Sequence, residues 1–139
     1  MLIGTYRHSV DGKKRMRVPS KLKVEIGANF VITKGTGKNL FIFSKEEFDK
    51  LYEKLTALPI FNVEVQKPVK KFLASAFEAE EDGQGRVLLP KELCDYAGIT
   101  KNIVSIGVGN RVEIWAEELW DKEDAETETE FSSLGNLGV

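Results

Sequence analysis

Sulfur and imidazole are scarce in this sequence: it has one cysteine, Cys94, and one histidine, His8, among 139 residues. A lone cysteine closes no internal disulfide, which fits a reducing compartment. A lone histidine far from that cysteine makes no nucleophile–base pair. No His, Cys, Asp or Glu grouping has the spacing of a metal site. His8 reads as a half-buried strand residue, with a polar DNA contact as the alternative. The chain is therefore expected not to be an enzyme, and to need no cofactor, metal or small-molecule substrate. Long apolar runs are also missing, and nothing approaches the ~18 residues of a membrane span. Met1–Tyr6 lack the basic start and apolar stretch of a signal peptide, so the cytoplasm is the expected location. Gly35-Thr36-Gly37-Lys38 looks like part of a phosphate loop. However, Ile32 replaces its first glycine and Asn39 its Ser/Thr, so it reads as a hairpin turn.

Charge is present in quantity and unevenly placed. The net formal charge is −2. Residues 1–23 carry seven basic side chains (Arg7, Lys13, Lys14, Arg15, Arg17, Lys21 and Lys23) against Asp11 alone, a net of +6. Residues 112–139 carry nine acids against Lys122, a net of −8. Such a split suggests a positive working face and an acidic tail. The alternative is an ordinary solvated surface with a solubilising end.

What decides between them is an internal repeat. Asp11-Gly-Lys-Lys-Arg15-Met-Arg-Val-Pro19 aligns with Asp82-Gly-Gln-Gly-Arg86-Val-Leu-Leu-Pro90 at an offset of 71. Tyr6 meets Phe77, Leu22 meets Leu93 and Gly27 meets Gly98. After one inserted residue, Ile42 meets Ile114, Phe43 meets Trp115 and Phe48 meets Trp120. Each copy reads as an extended segment (2–10; 75–81), an Asp-Gly turn, and a short strand (15–18; 86–89) ended by proline. A short helix stopped at glycine, a hairpin and a closing helix follow. The hairpins are 30–34 with 40–43, and 103–106 with 112–115. Ser44 with Glu47 forms a capping box at the closing helix of the first copy, whereas the second has Ala116 there. The fold class is thus α+β, mainly β. The organisation is a first repeat over 1–57, a connecting helix over 58–73, a second repeat over 74–122, and an acidic tail over 123–139. From Glu123 to Val139 the acidic, then Ser- and Gly-containing chain is expected to fray, with a short docking helix through Phe131, Leu134 and Leu137 as the alternative.

Two Asp-x-x-x-Arg motifs, each followed by proline, in a chain with a Gly-Thr-Tyr start resemble the bacterial MraZ family. Each unit is similar to an AbrB-type swapped-hairpin β-barrel. The resemblance covers residues 1 to about 122 and matches Asp11, Arg15, Asp82 and Arg86 one by one. Lys14 stands where the family usually has Gly, and Arg17 where a small or apolar residue is common. The resemblance implies a transcriptional regulator of the division and cell-wall gene cluster that binds short direct repeats of double-stranded promoter DNA. It also implies nucleoid association and ring-shaped homo-oligomers, an octamer or dodecamer, with no membrane partner.

Within the motif, aspartate can accept turn amides and hold arginine in one pose, and the guanidinium fork suits phosphate or a guanine edge. Arg15, Lys13, Lys14, Arg17 and Arg7 are the expected DNA contacts, because clustered cations release condensed counterions together. Asp11 is expected to orient Arg15. Asp82 and Arg86 are expected to be structural, because Glu78, Glu80, Glu81 and Glu92 surround them in sequence. Tyr52, Phe61, Trp115 and Trp120 are candidate subunit-interface aromatics. The competing reading is an oligomeric protein-binding scaffold whose basic loop never meets DNA.

Overall fold

The computed structural model describes all residues, Met1–Val139. The chain begins with β1 (Ile3–Ser9), β2 (Arg15–Met16) and α1 (Ser20–Ile26). The hairpin β3 (Phe30–Lys34) and β4 (Leu40–Ser44) follows, then α2 (Lys45–Thr56) and α3 (Val63–Ser75). The second half repeats the order with β5 (Phe77–Ala79), β6 (Val87–Leu88), α4 (Lys91–Ala97), β7 (Asn102–Val108), β8 (Val112–Ala116) and α5 (Glu117–Glu126). A 3₁₀ segment over Glu128–Leu137 ends it. The Ser44 hydroxyl accepts the Glu47 amide, as the capping box requires, and Asn62 caps α3 in the same way through the Val65 amide. Ala116 provides no such bond to α5.

The strands form one six-stranded antiparallel sheet in the order β1-β7-β8-β4-β3-β5, and a separate two-stranded ribbon, β2-β6. β1 pairs along its length with β7 of the second half, from Ile3↔Val108 to Ser9↔Asn102. β5 returns to pair with β3 of the first half. The expected barrel is not formed: the sheet is open, with β1 and β5 as its two ends. The physical reason lies in β2 and β6, which are two residues long and pair with each other instead of bridging those ends.

Alternation on the strands sorts the side chains to two faces. Phe30, Ile32, Leu40, Ile42, Ile103, Val112 and Ile114 point into one main core, shared by both halves. Met16 and Val87 of the ribbon close that core, with Leu22 of α1 and Leu93 of α4. On the other face Phe43 meets Phe48 of α2 and Phe72 of α3 at ring distances of 6.0 and 6.4 Å. Val104, Ile106 and Trp115 form a small second cluster, with Leu119 and Trp120 of α5 packed on it. Trp115 is thereby buried within the chain's own fold, while Tyr52 and Phe61 are exposed. No helix is long and apolar enough to cross a membrane.

Candidate nucleic-acid interface

The two Asp-x-x-x-Arg turns have the same internal geometry. In the first, Asp11 Oδ1 accepts the backbone N–H of Lys13 (2.8 Å) and of Arg15 (3.0 Å), and Oδ2 accepts Arg15 Nε at 2.7 Å. In the second, Asp82 Oδ1 accepts the N–H of Gln84 and of Arg86, both at 2.9 Å, and Oδ2 accepts Arg86 Nε at 2.8 Å. Backbone bonds close each loop: Asp11 N–H to the Arg15 carbonyl (2.9 Å), and Asp82 N–H to the Arg86 carbonyl (2.8 Å). The Arg15 amide, ahead of the Lys13 amide and the Arg15 guanidinium, holds the Asp11 carboxyl down at about 2, well below the usual carboxylate range. The Asp82 carboxyl is lowered in the same way, chiefly by the Arg86 amide. Both carboxylates therefore stay charged at neutral pH. Each grips its arginine through Nε, which leaves the terminal nitrogens of the fork available to an acceptor.

The ribbon sets these turns side by side. Arg15 lies opposite Leu88, and Met16 opposite Val87. The Leu89 N–H donates to the Lys14 carbonyl at 2.9 Å, and Arg17 Nε donates to the Gln84 carbonyl at 2.9 Å. Arg86 Nη1 comes within 3.8 Å of Asp11 Oδ2, so one carboxylate faces arginines from both repeats. Arg15, Arg17, Arg86, Asp11, Gln84 and His8 line one solvent-open hollow. Residues 71 apart in sequence thus make one site.

The sequence-predicted contacts fall out unequally. Lys13 and Arg17 are exposed beside Arg15. Lys14 is engaged, its ammonium donating to the Thr100 carbonyl. Arg7 is engaged with α5: Nη2 donates to Asp121 at 2.8 Å and Nη1 to Glu117 at 3.3 Å. Part of the acidic C-terminal block is thus spent on part of the basic N-terminal one. His8 is half-buried, with Nε2 2.7 Å from Ser105 Oγ, and burial lowers its pKa. Arg86, expected to be structural, lines the same hollow as Arg15. Two of its acidic sequence neighbours have partners of their own, since Glu81 pairs with Lys23 and Glu78 lies by Lys45. The sequence signal for its closeness to Arg15 is the motif duplication itself.

A family model described as "MraZ protein, putative antitoxin-like" matches residues 1–67 and 72–134. The chain is similar to the transcriptional regulator MraZ of Clostridium tetani, 45% identical over the whole of both chains. That of Caldicellulosiruptor bescii is 48% identical over 88% of this chain and 86% of its own. That of Carboxydothermus hydrogenoformans is 45% identical over 87% of this chain and 85% of its own. The two matched stretches each contain one Asp-x-x-x-Arg turn of the hollow, and the chain belongs to the MraZ family.

Proposed function

We propose that this protein is a DNA-binding transcription regulator, not a catalyst, and that the paired turns are its DNA-contacting surface. One observation carries the reading: two carboxylate-gripped arginines from different repeats lie side by side on an open face, with Arg17 between the turns and Lys13 at a tip. Held forks of this kind suit phosphate oxygens and the O6/N7 edge of guanine. Arg86 joins Arg15 in this proposal as a contact, while Asp11 and Asp82 position them. Arg17 and Lys13 supply phosphate contacts. Arg7 and Lys14, tied to α5 and to Thr100, act at most through the local field. The names of the relatives support regulation of transcription.

In the finer reading the targets are short direct repeats in the promoter of the division and cell-wall gene cluster. The working form is a ring-shaped homo-oligomer in the cytoplasm, associated with the nucleoid. One protomer offers few contacts, and identical protomers on repeated sites add avidity without new chemistry. The exchange of β1 and β5 between halves we read as the swapped-hairpin arrangement of a duplicated unit.

The test is a titration of purified protein with duplexes carrying tandem repeats, and with scrambled duplexes, at several salt concentrations. Arg15→Ala and Arg86→Ala should each lose about 1–3 kcal/mol where a base edge is contacted. Each should also lower the salt slope by about one per phosphate contact removed, with oligomer size unchanged. If the wild-type protein binds no duplex at low salt, the regulator reading is wrong and the scaffold reading takes its place.

A further inference from the structure

The two-stranded ribbon has one buried face and one open face. Met16, Val18, Val87 and Leu89 are 1–9% exposed and belong to the core. Alternation therefore sends Arg15 and Arg17 of one strand, and Arg86 and Leu88 of the other, to the opposite side. Three of these four outward positions are arginine. The fourth, Leu88, is 58% exposed and sits directly across from Arg15. It is also the repeat equivalent of Arg17, so the pseudo-symmetry that supplies an arginine in one half supplies a leucine in the other. A leucine alone on a protein surface needs no explanation. A leucine completing a grid of arginines, on a face built to meet DNA, occupies a place where its chemistry matters.

An all-arginine face favours guanine and phosphate but has no means of choosing among pyrimidines. The major groove is wide enough to admit a two-stranded ribbon, and the one apolar feature there is the C5 methyl of thymine. We propose that Leu88 is a specificity-determining residue that packs on a thymine methyl while the neighbouring arginines hold the backbone and guanine edges. This inference rests on the DNA-binding reading above. Directly opposed side chains on an antiparallel pair are about 4.5–5.5 Å apart at Cβ. That distance is between one and two base rises of ~3.4 Å. The thymine should therefore lie immediately next to, or one step beyond, the base pair that Arg15 prefers.

The test removes the methyl and nothing else. Duplexes selected from random DNA by the wild-type oligomer are remade with deoxyuridine for thymine, one position at a time. The wild-type protein should lose about fourfold in affinity at one thymine per protomer, the value of one buried methyl-sized group. Leu88→Ala should bind the same duplex with or without that methyl, and Leu88→Met should keep the methyl preference. Leu88 is exposed, so both variants should fold and assemble normally, checked by melting and sizing. If deoxyuridine is tolerated everywhere, or hurts Leu88→Ala as much as wild type, Leu88 does not read thymine although the protein binds DNA. If Leu88→Ala changes oligomer size instead, Leu88 is a subunit contact and the inference is wrong. If no duplex is selected at all, the DNA-binding reading fails and this inference with it.

Discussion

Lys14 and Gly85 occupy the same place in the two turns, and both have left-handed backbone, at φ 62° and 75°. Glycine adopts that conformation without a Cβ penalty, whereas lysine incurs about 1–2 kcal/mol. Lys14 recovers part of this through its bond to the Thr100 carbonyl. Lys14→Gly should therefore raise stability by about 0.5–1 kcal/mol in a denaturant melt. Gly85→Ala, whose new Cβ meets only Glu81 Oε2 at 3.4 Å, should lower it by about 1–2 kcal/mol through backbone strain alone. Equal effects of opposite sign at the two positions would mean that the Thr100 contact contributes nothing. Asp11 makes a second prediction at this scale. Its folded pKa, about 2, lies below that of the unfolded chain, so its contribution is fully present above the unfolded value, ~3.9, and is lost as pH falls toward 2. The Asp82 shift has the same sign. The first turn should loosen between about pH 4 and 2, and the second should also loosen on acidification, while Asp11→Asn should already show part of that loosening at neutral pH. Amide exchange of Lys13 and Arg15, the two backbone donors to Asp11, is the measurement; protection unchanged down to pH 2 would contradict the assigned cause.

At the scale of elements, the longest of the strand pairs that join the halves is β1–β7, and its tightest point is Gly107. A Cβ there would lie 2.4 Å from the Ile3 nitrogen and 2.6 Å from the Leu2 carbonyl carbon. Those are backbone atoms, which cannot swing away as a side chain does. Gly107→Ala should therefore force β1 off the sheet and cost about 2–3 kcal/mol or more, in the range of overpacked cores. Loss of amide protection should be concentrated in residues 3–9, and a variant as stable as wild type would show that the strands are not so close. Much at this scale is legible in the sequence. Two-residue periodicity, the Asp-Gly turns, Pro19 and Pro90, and the Ser44 cap locate the hairpins and short helices to within a few residues. Pairing between halves is not legible. The 71-residue offset says which residues are equivalent, but equivalent strands can pair within a copy or across copies with the same pattern. The site suffers for the same reason. Arg15 and Asp11 follow from a four-residue spacing, whereas the contact of Arg86 with Asp11 and the capture of Arg7 by Asp121 exist only after the chain crosses over. In sequence Arg86 stands among acids, whereas in space it shares a hollow with Arg15 and Arg17 as well as with Asp11.

Across the whole molecule, that crossing decides how stability is distributed. The first 57 residues hold β1, β2, β3 and β4, and each has a partner in the other half: β7, β6, β5 and β8 in turn. Only the β3–β4 pair is complete within them, and an isolated hairpin is marginal in water. The main core is likewise common property, with Leu22 and Met16 from one half packed among Leu93 and Val87 from the other. Neither half can bury its apolar face alone. The full chain should therefore unfold in one cooperative transition, coincident by circular dichroism and by tryptophan fluorescence from Trp115 and Trp120. The isolated 1–57 segment should show no cooperative melt at all. The 3₁₀ segment over 128–137 should not take part, because none of its residues is buried. Its removal should leave the midpoint within about 1 °C, equivalent to a few tenths of a kcal/mol for a domain of this size. Because the two arginine turns ride on the ribbon that this shared core supports, DNA binding should be lost in the same transition as the fold. Two separated transitions, with one turn still competent after the first, would mean that the halves are independent domains and that the hollow between the turns is an accident of their contact.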